Sequence, residues 1–300
     1  MLDILLQPFE YNYMVKAIFV SAIVGAVCAF LSAYLILKGW SLMGDAISHS
    51  VVPGVAGAYA LNLPYSVGAF FTGILAAISM ILVSHLSKLK EDTVIGFIFS
   101  TFFAIGLLIL SLNPTSVNLQ TIIFGNILGI ADSDVIQVEI IVIISFIILM
   151  FIWKDLLVVF FDENHARSIG INPLKLKIIF FILLSACTIA ALQTVGAILV
   201  IAMVITPGAT AYLLTDQFKR LLIIAIIIGF TFSAIGAYIS YFINGATGGV
   251  IVTLQTLVFI FTFFIAPKYR YGLFSSKRKD ILKNYISSQL KQLEKRDEKK

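Results

Sequence analysis

The 300-residue sequence is poor in what marks a soluble enzyme: charged residues make up 12% of it, and it holds three histidines, two cysteines, seven prolines and two tryptophans. So little charge cannot clothe a surface facing water, since soluble domains draw about a quarter of their residues from Asp, Glu, Lys and Arg. Cys28 and Cys187 each sit inside an apolar run, which excludes a disulfide framework and a cysteine metal cluster and leaves them as small buried hydrophobes. The chain has no G-x-x-x-x-G-K-[ST] nucleotide loop, no His-Glu-x-x-His and no nucleophile elbow. No catalytic role is therefore expected, and no permanently bound cofactor. The opening residues MLDILLQPFEYNYMVK lack a basic segment followed by a cleavage site, so no removable signal peptide is expected.

What the chain has instead is apolar length. Hydrophobic residues are 60% of it, 25 of them Phe, the mean hydropathy is +1.02, and runs such as IIVIISFIILMFIW (140–153) are unbroken. A bilayer core of ~30 Å needs roughly 20 residues of helix, so the sequence reads as one all-α polytopic membrane bundle. Periodicity bounded by charge, Pro and Gly predicts helices near 15–37, 45–61, 65–86, 94–112, 134–153, 177–193, 195–215, 221–243 and 250–266, which gives eight or nine crossings. The count turns on 45–61, short and polar at its start, and on 177–215, where Gln193 and Gly196 interrupt one apolar stretch. Lys88 and Lys90, then Lys154, Arg167, Lys175 and Lys177, then Lys219 and Arg220 mark cytoplasmic loops by the positive-inside rule. The N-terminus, with Asp3 and Glu10, then falls outside, together with 62–64, 113–133 and 244–249. Loop 113–133 is neither fully apolar nor freely polar, and one reading is a re-entrant or half-helix held against the bundle, because irregular backbone at membrane depth survives only against protein or a wet cavity. Residues 1–271 form the membrane domain, and 272–300 a basic cytoplasmic tail that contacts lipid headgroups or water and resembles no nucleic-acid module.

Against this apolar background, Asp45 and His49 are conspicuous. Standing at i and i+4, they share one helix face, near enough to hold one cation. A carboxylate and an imidazole together suit Mn²⁺, Fe²⁺ or Zn²⁺, and an ionisable pair at membrane depth faces the bundle interior or a wet path. The same spacing also fits a mutual hydrogen bond that only fixes helix packing. Pro53, four residues beyond His49, has no N–H for the His49 carbonyl, which leaves either a freed oxygen beside the pair or a simple packing kink.

Between two spans, WKDLLVVFFDENHARSIGINP (153–173) is amphipathic. A short helix begins near Asp162, includes Glu163, His165, Ala166 and Arg167, and ends at Gly170 and Pro173. It is either a surface loop or a helix shaped to enter a partner's groove. His85, at the basic end of a span, reads as a titrating surface residue, and Asn126, Asp132, Asp134 and Glu139 as polar groups on the outer side.

Six segments in order, GWSLMGDAISHSVVPG (39–54), LKEDTVIGFIFSTFFAIGL (89–107), FGNILGIADSD (124–134), FDENHARSIGI (161–171), LQTVGAILVIAMVITPGATAYLLTD (192–216) and the closing span 250–266, resemble the membrane permease of bacterial manganese, zinc and iron ABC importers. The resemblance covers residues 8–271. It implies an arrangement similar to type II importers and a homodimer in the bacterial inner (plasma) membrane. It also implies two ATPase subunits on the cytoplasmic side and an extracytoplasmic metal-binding protein that delivers the ion. It places the metal path at Asp45 and His49, and the ATPase contact at Asp162, Glu163, Ala166, Arg167 and Gly170. The cargo implied is a divalent transition metal, manganese or iron ahead of zinc. One departure is Asn244-Gly-Ala-Thr-Gly in the last outer loop, where many relatives carry an acid. The competing class is a secondary transporter driven by an ion gradient, which would have no use for a docking helix at 161–171.

Overall fold

A computed structural model of the chain describes residues 2–40, 42–61, 63, 65–87, 89–112 and 132–266. The re-entrant segment expected at 113–133 lies outside the described residues up to 131, as do Asn126, the tail 272–300 and the side chain of His85. Every regular element among the described residues is a helix. They are α1 (Leu2–Glu10), α2 (Asn12–Lys38), α3 (Met43–Ser50), α4 (Val52–Ala60), α5 (Tyr65–Leu86), α6 (Glu91–Leu112), α7 (Asp132–Phe161), α8 (Glu163–Ser168), α9 (Pro173–Val195), α10 (Ala197–Leu214), α11 (Phe218–Ile243) and α12 (Thr247–Ala266). Seven of them are long and apolar enough to cross a membrane: α2, α5, α6, α7, α9, α11 and α12. The other two predicted segments fall on the 18-residue α10 and on the consecutive short helices α3 and α4.

Three boundaries differ from the sequence expectation. The helix expected at 45–61 is broken at Val51, because Pro53 cannot donate to the ladder and is accommodated in the first turn of α4. The helix expected to stop at 153 runs on to Phe161, so the charged pair Lys154 and Asp155 is carried on helix rather than loop. A further helix, α1, precedes the first span.

The bundle is built around α2. Its apolar window is 83% buried, against 22–56% for the other long helices, and α7, α9, α10 and α11 pack around it. Tyr34 anchors that centre: its hydroxyl donates to the Trp153 carbonyl at 2.7 Å, and its ring lies among Phe160, Phe180 and Phe218. Ser32 on α2 repairs α10 beside its internal Pro207, donating to the Ile205 carbonyl and accepting from the Gly208 amide, both at 3.0 Å. The hydroxyl thus braces α10 on either side of the proline from a neighbouring helix, one of the ways a membrane bundle tolerates a proline in a span. α4 and α5 touch backbone to backbone: a Cβ at Gly54 would lie 2.0 Å from the Gly68 carbonyl oxygen, and one at Gly68 2.1 Å from that of Gly54. The outward faces are apolar, with Phe71, Phe151, Phe161 and Phe264 largely exposed, as helices solvated by acyl chains require.

Candidate functional site

The chain leaves α2 at Lys38, turns through Gly39 and Trp40, and starts α3 at Met43. Trp40 fixes this turn: its indole is buried, stacks on Phe181, and donates from Nε1 to the carboxylate of Glu91 in the first turn of α6. Asp45 therefore falls in the first turn of α3 and His49 in its last. Their side chains meet as the spacing predicts, with His49 Nε2 at 3.1 Å from Asp45 Oδ1. Both stay partly open, the Asp45 side chain 35% and that of His49 29% exposed. The two side chains are thus in contact within α3, and neither is enclosed by the rest of the bundle.

α6 supplies a wall that sequence reasoning missed. Phe99 and Phe103 stack on one another, and the His49 imidazole meets both edge-on, with centroids at 5.4 and 5.5 Å. The positive rim of one ring against the face of another favours this arrangement and restricts the imidazole's orientation. The only advance signal was the i, i+4 spacing of the two phenylalanines, which is too common in so Phe-rich a chain to single them out. Of the two readings of Pro53, the freed oxygen does not hold, because the amide of Val51 closes on the His49 carbonyl. Among the described residues no group of three or more His, Cys, Asp and Glu side chains could hold a metal ion, so Asp45 and His49 stand as two donors. Asp132, considered a polar contact on the outer side, pairs with Lys16 at the start of α2.

The second predicted feature takes the expected form, with its residues divided by role. Asp162 is the N-cap of α8, its carboxylate accepting from the amides of Asn164 at 2.9 Å and His165 at 3.1 Å. Gly170 follows the helix with φ +84°, a conformation that residues with a Cβ rarely adopt. Ala166 is fully buried and Glu163 turns to Lys177 of α9 and Lys38 of α2, so these two seat α8 on the bundle. Asn164, His165, Arg167 and Ser168 are exposed, and the guanidinium-bearing Arg167 borders a cavity of about 600 Å³ floored by Met80, Ile95 and Phe181. Through Lys38, α8 reaches the residue that precedes the turn into α3. α8 and the Asp–His pair are thereby linked by one ion pair and one tight turn.

The ABC 3 transport family matches residues 10–266 of the chain. The chelated iron transport system membrane protein YfeC of Yersinia pestis is 75% identical over 94% of this chain and 96% of its own length. The manganese transport system membrane protein MntB of Synechocystis is 47% identical over 88% and 87%. Among solved structures, PsaBC from Streptococcus pneumoniae in complex with Fab is similar with a TM-score of 0.80 and 36% identity, covering 92% of this chain and all of that one.

Proposed function

The chain belongs to the ABC 3 transport family, and from that premise we propose that it forms the membrane pathway of an ATP-driven importer of divalent manganese or iron. The observation that carries the reading is the Asp45–His49 pair: one hard oxygen and one borderline nitrogen, 3.1 Å apart, partly open, and joined by no third donor in its own chain among the described residues. Relatives named for iron and for manganese transport support the choice of metals. A borderline divalent ion accepts both donor types, whereas a calcium-like ion would want oxygens alone.

The geometry suits transfer rather than storage. His49 Nε2 and Asp45 Oδ1 lie 3.1 Å apart, so a cation takes both atoms by replacing their mutual contact, any proton on Nε2 passing to Nδ1 or to water, and it frees them again on leaving. Two donors make a weak site. Two copies of the chain in a homodimer bring four, enough for one ion held briefly between the subunits. Two ATPase subunits drive the cycle from the cytoplasmic side of the bacterial inner membrane, where the basic tail also lies, and an extracytoplasmic binding protein presents the metal opposite. The exposed residues Asn164, His165, Arg167 and Ser168 of α8 make the ATPase contact. Asp162 and Gly170 shape its ends, and Glu163 with Ala166 ties its movement to Lys38 and so to α3.

Asp45→Asn and His49→Ala should each abolish manganese and iron uptake in cells that depend on this importer, while the ATPase still copurifies with the permease. Wild-type uptake by either variant would remove that residue from the path.

A further inference from the structure

α1 stands outside everything above. It lies at the far end of the bundle from α8: α2 begins two residues after it and, at 27 residues, runs about 40 Å before Lys38 reaches Glu163. We propose that α1 is an interfacial helix, lying in the headgroup boundary of the leaflet remote from α8 and covered by lipid on its apolar side.

Its surface is divided three ways. Pro8 is buried against the bundle. Leu5, Leu6 and Phe9 are each more than half exposed, at 53, 55 and 52%. Gln7 and Glu10 are exposed as well. At 100° per residue Leu5, Leu6 and Phe9 fall within one apolar sector, and Gln7 and Glu10 on another side of the helix. In water three large apolar side chains would stand uncovered, and in hydrocarbon a carboxylate and an amide would lose their solvent. Only a boundary between the two satisfies both sides.

Two independent features fix the level of that boundary. Tyr238 of α11 donates from its hydroxyl to the Leu5 carbonyl at 2.8 Å and lays its ring against Phe9 with centroids 5.8 Å apart, so the helix is held flat on the bundle. Around that contact Tyr11, Tyr13 and Tyr241 form a cluster of ring contacts 5.5–5.9 Å apart, at the ends of α2 and α11. Tyrosines gathered at one end of membrane-spanning helices mark the headgroup level, where the ring is in apolar surroundings and the hydroxyl is wet. Val15 and Phe19, exposed on the first turns of α2, continue the apolar side of α1 toward the hydrocarbon. Lipid is therefore the occupant that matches the surface on both sides of α1. The helix has no Lys or Arg, so its hold comes from apolar burial rather than from attraction to anionic headgroups.

The test is spin-label accessibility on the full-length chain in nanodiscs of phosphatidylethanolamine and phosphatidylglycerol. Labels are placed in Leu6→Cys or Gln7→Cys, with the buried Cys28 and Cys187 replaced by alanine. The label at position 6 should collide more often with dissolved oxygen than with a water-soluble nickel chelate, and the label at position 7 should show the reverse preference. Nickel dominating at both positions would put the helix in water and overturn the proposal. A label at position 6 that neither agent reaches would mean that protein covers the face, from elsewhere in the chain or from a second copy, and would overturn it equally. Either result is independent of which ion the bundle conducts.

Discussion

At the scale of single residues, the pair Asp45 and His49 was legible because i, i+4 spacing survives any tertiary arrangement so long as the segment is helical, and two ionisable residues stand out in a sequence this apolar. Phe99 and Phe103 were not legible as partners. Their role comes from α6 packing on α3, and nothing local distinguishes them among 25 phenylalanines. Their restriction of the imidazole should matter in the way that groups behind a metal ligand matter. Phe99→Ala should lower metal uptake by roughly 10–100-fold without abolishing it, and Phe99→Leu by less. Equal loss in Phe99→Ala and His49→Ala would mean that the ring pair holds the helix rather than the imidazole. That no third donor joins the pair among the described residues has a separate consequence. One isolated chain should bind Mn²⁺ weakly, and a covalently linked dimer carrying one wild-type and one Asp45→Asn, His49→Ala subunit should bind it more weakly than the all-wild-type dimer, a difference that isothermal titration reads directly.

At the scale of elements, α8 was the best-resolved expectation, because its start and stop signals are chemical. Asp162 caps and Gly170 terminates, as their types and positions suggest. The division of labour inside the helix was hidden, since whether Glu163 faces inward depends on Lys38 and Lys177, which lie distant in sequence. Asp162→Ala should cost about 1 kcal/mol of local helix stability and loosen, without abolishing, association with the ATPase. Gly170→Pro should be far more severe, because the proline ring locks φ near −65° whereas this residue stands at +84°. It should release the ATPase during copurification, and a stable complex carrying that substitution would refute the docking assignment. Glu163→Gln tests the link to α3, with ATP hydrolysis expected to persist while metal uptake falls. The break between α3 and α4 was foreseen as either a packing kink or a freed carbonyl at Pro53. Its exact place at Val51 depends on how α4 seats against α5 across Gly54 and Gly68, a contact with no sequence-local trace.

At the scale of the whole molecule, composition alone established an all-helical membrane bundle, since 60% apolar residues in runs of span length admit little else. The centrality of α2 followed less directly. Its small and hydroxyl residues, such as Ser32 beside Pro207, are what allow several neighbours to pack closely around it. Amphipathic α1 was overlooked because a nine-residue helix interrupted by Pro8 is too short for periodicity to separate it from a loop. The most direct measurement is uptake of radiolabelled manganese into liposomes containing this chain, its ATPase and its binding protein, with and without ATP, and with unlabelled iron or zinc competing. Uptake that requires ATP and both partners, is lost in Asp45→Asn, and is competed more strongly by iron than by zinc is the expected result. Uptake by this chain alone, driven by a proton or sodium gradient, would contradict an ATP-driven pathway and make Asp45 and His49 the site of a secondary carrier.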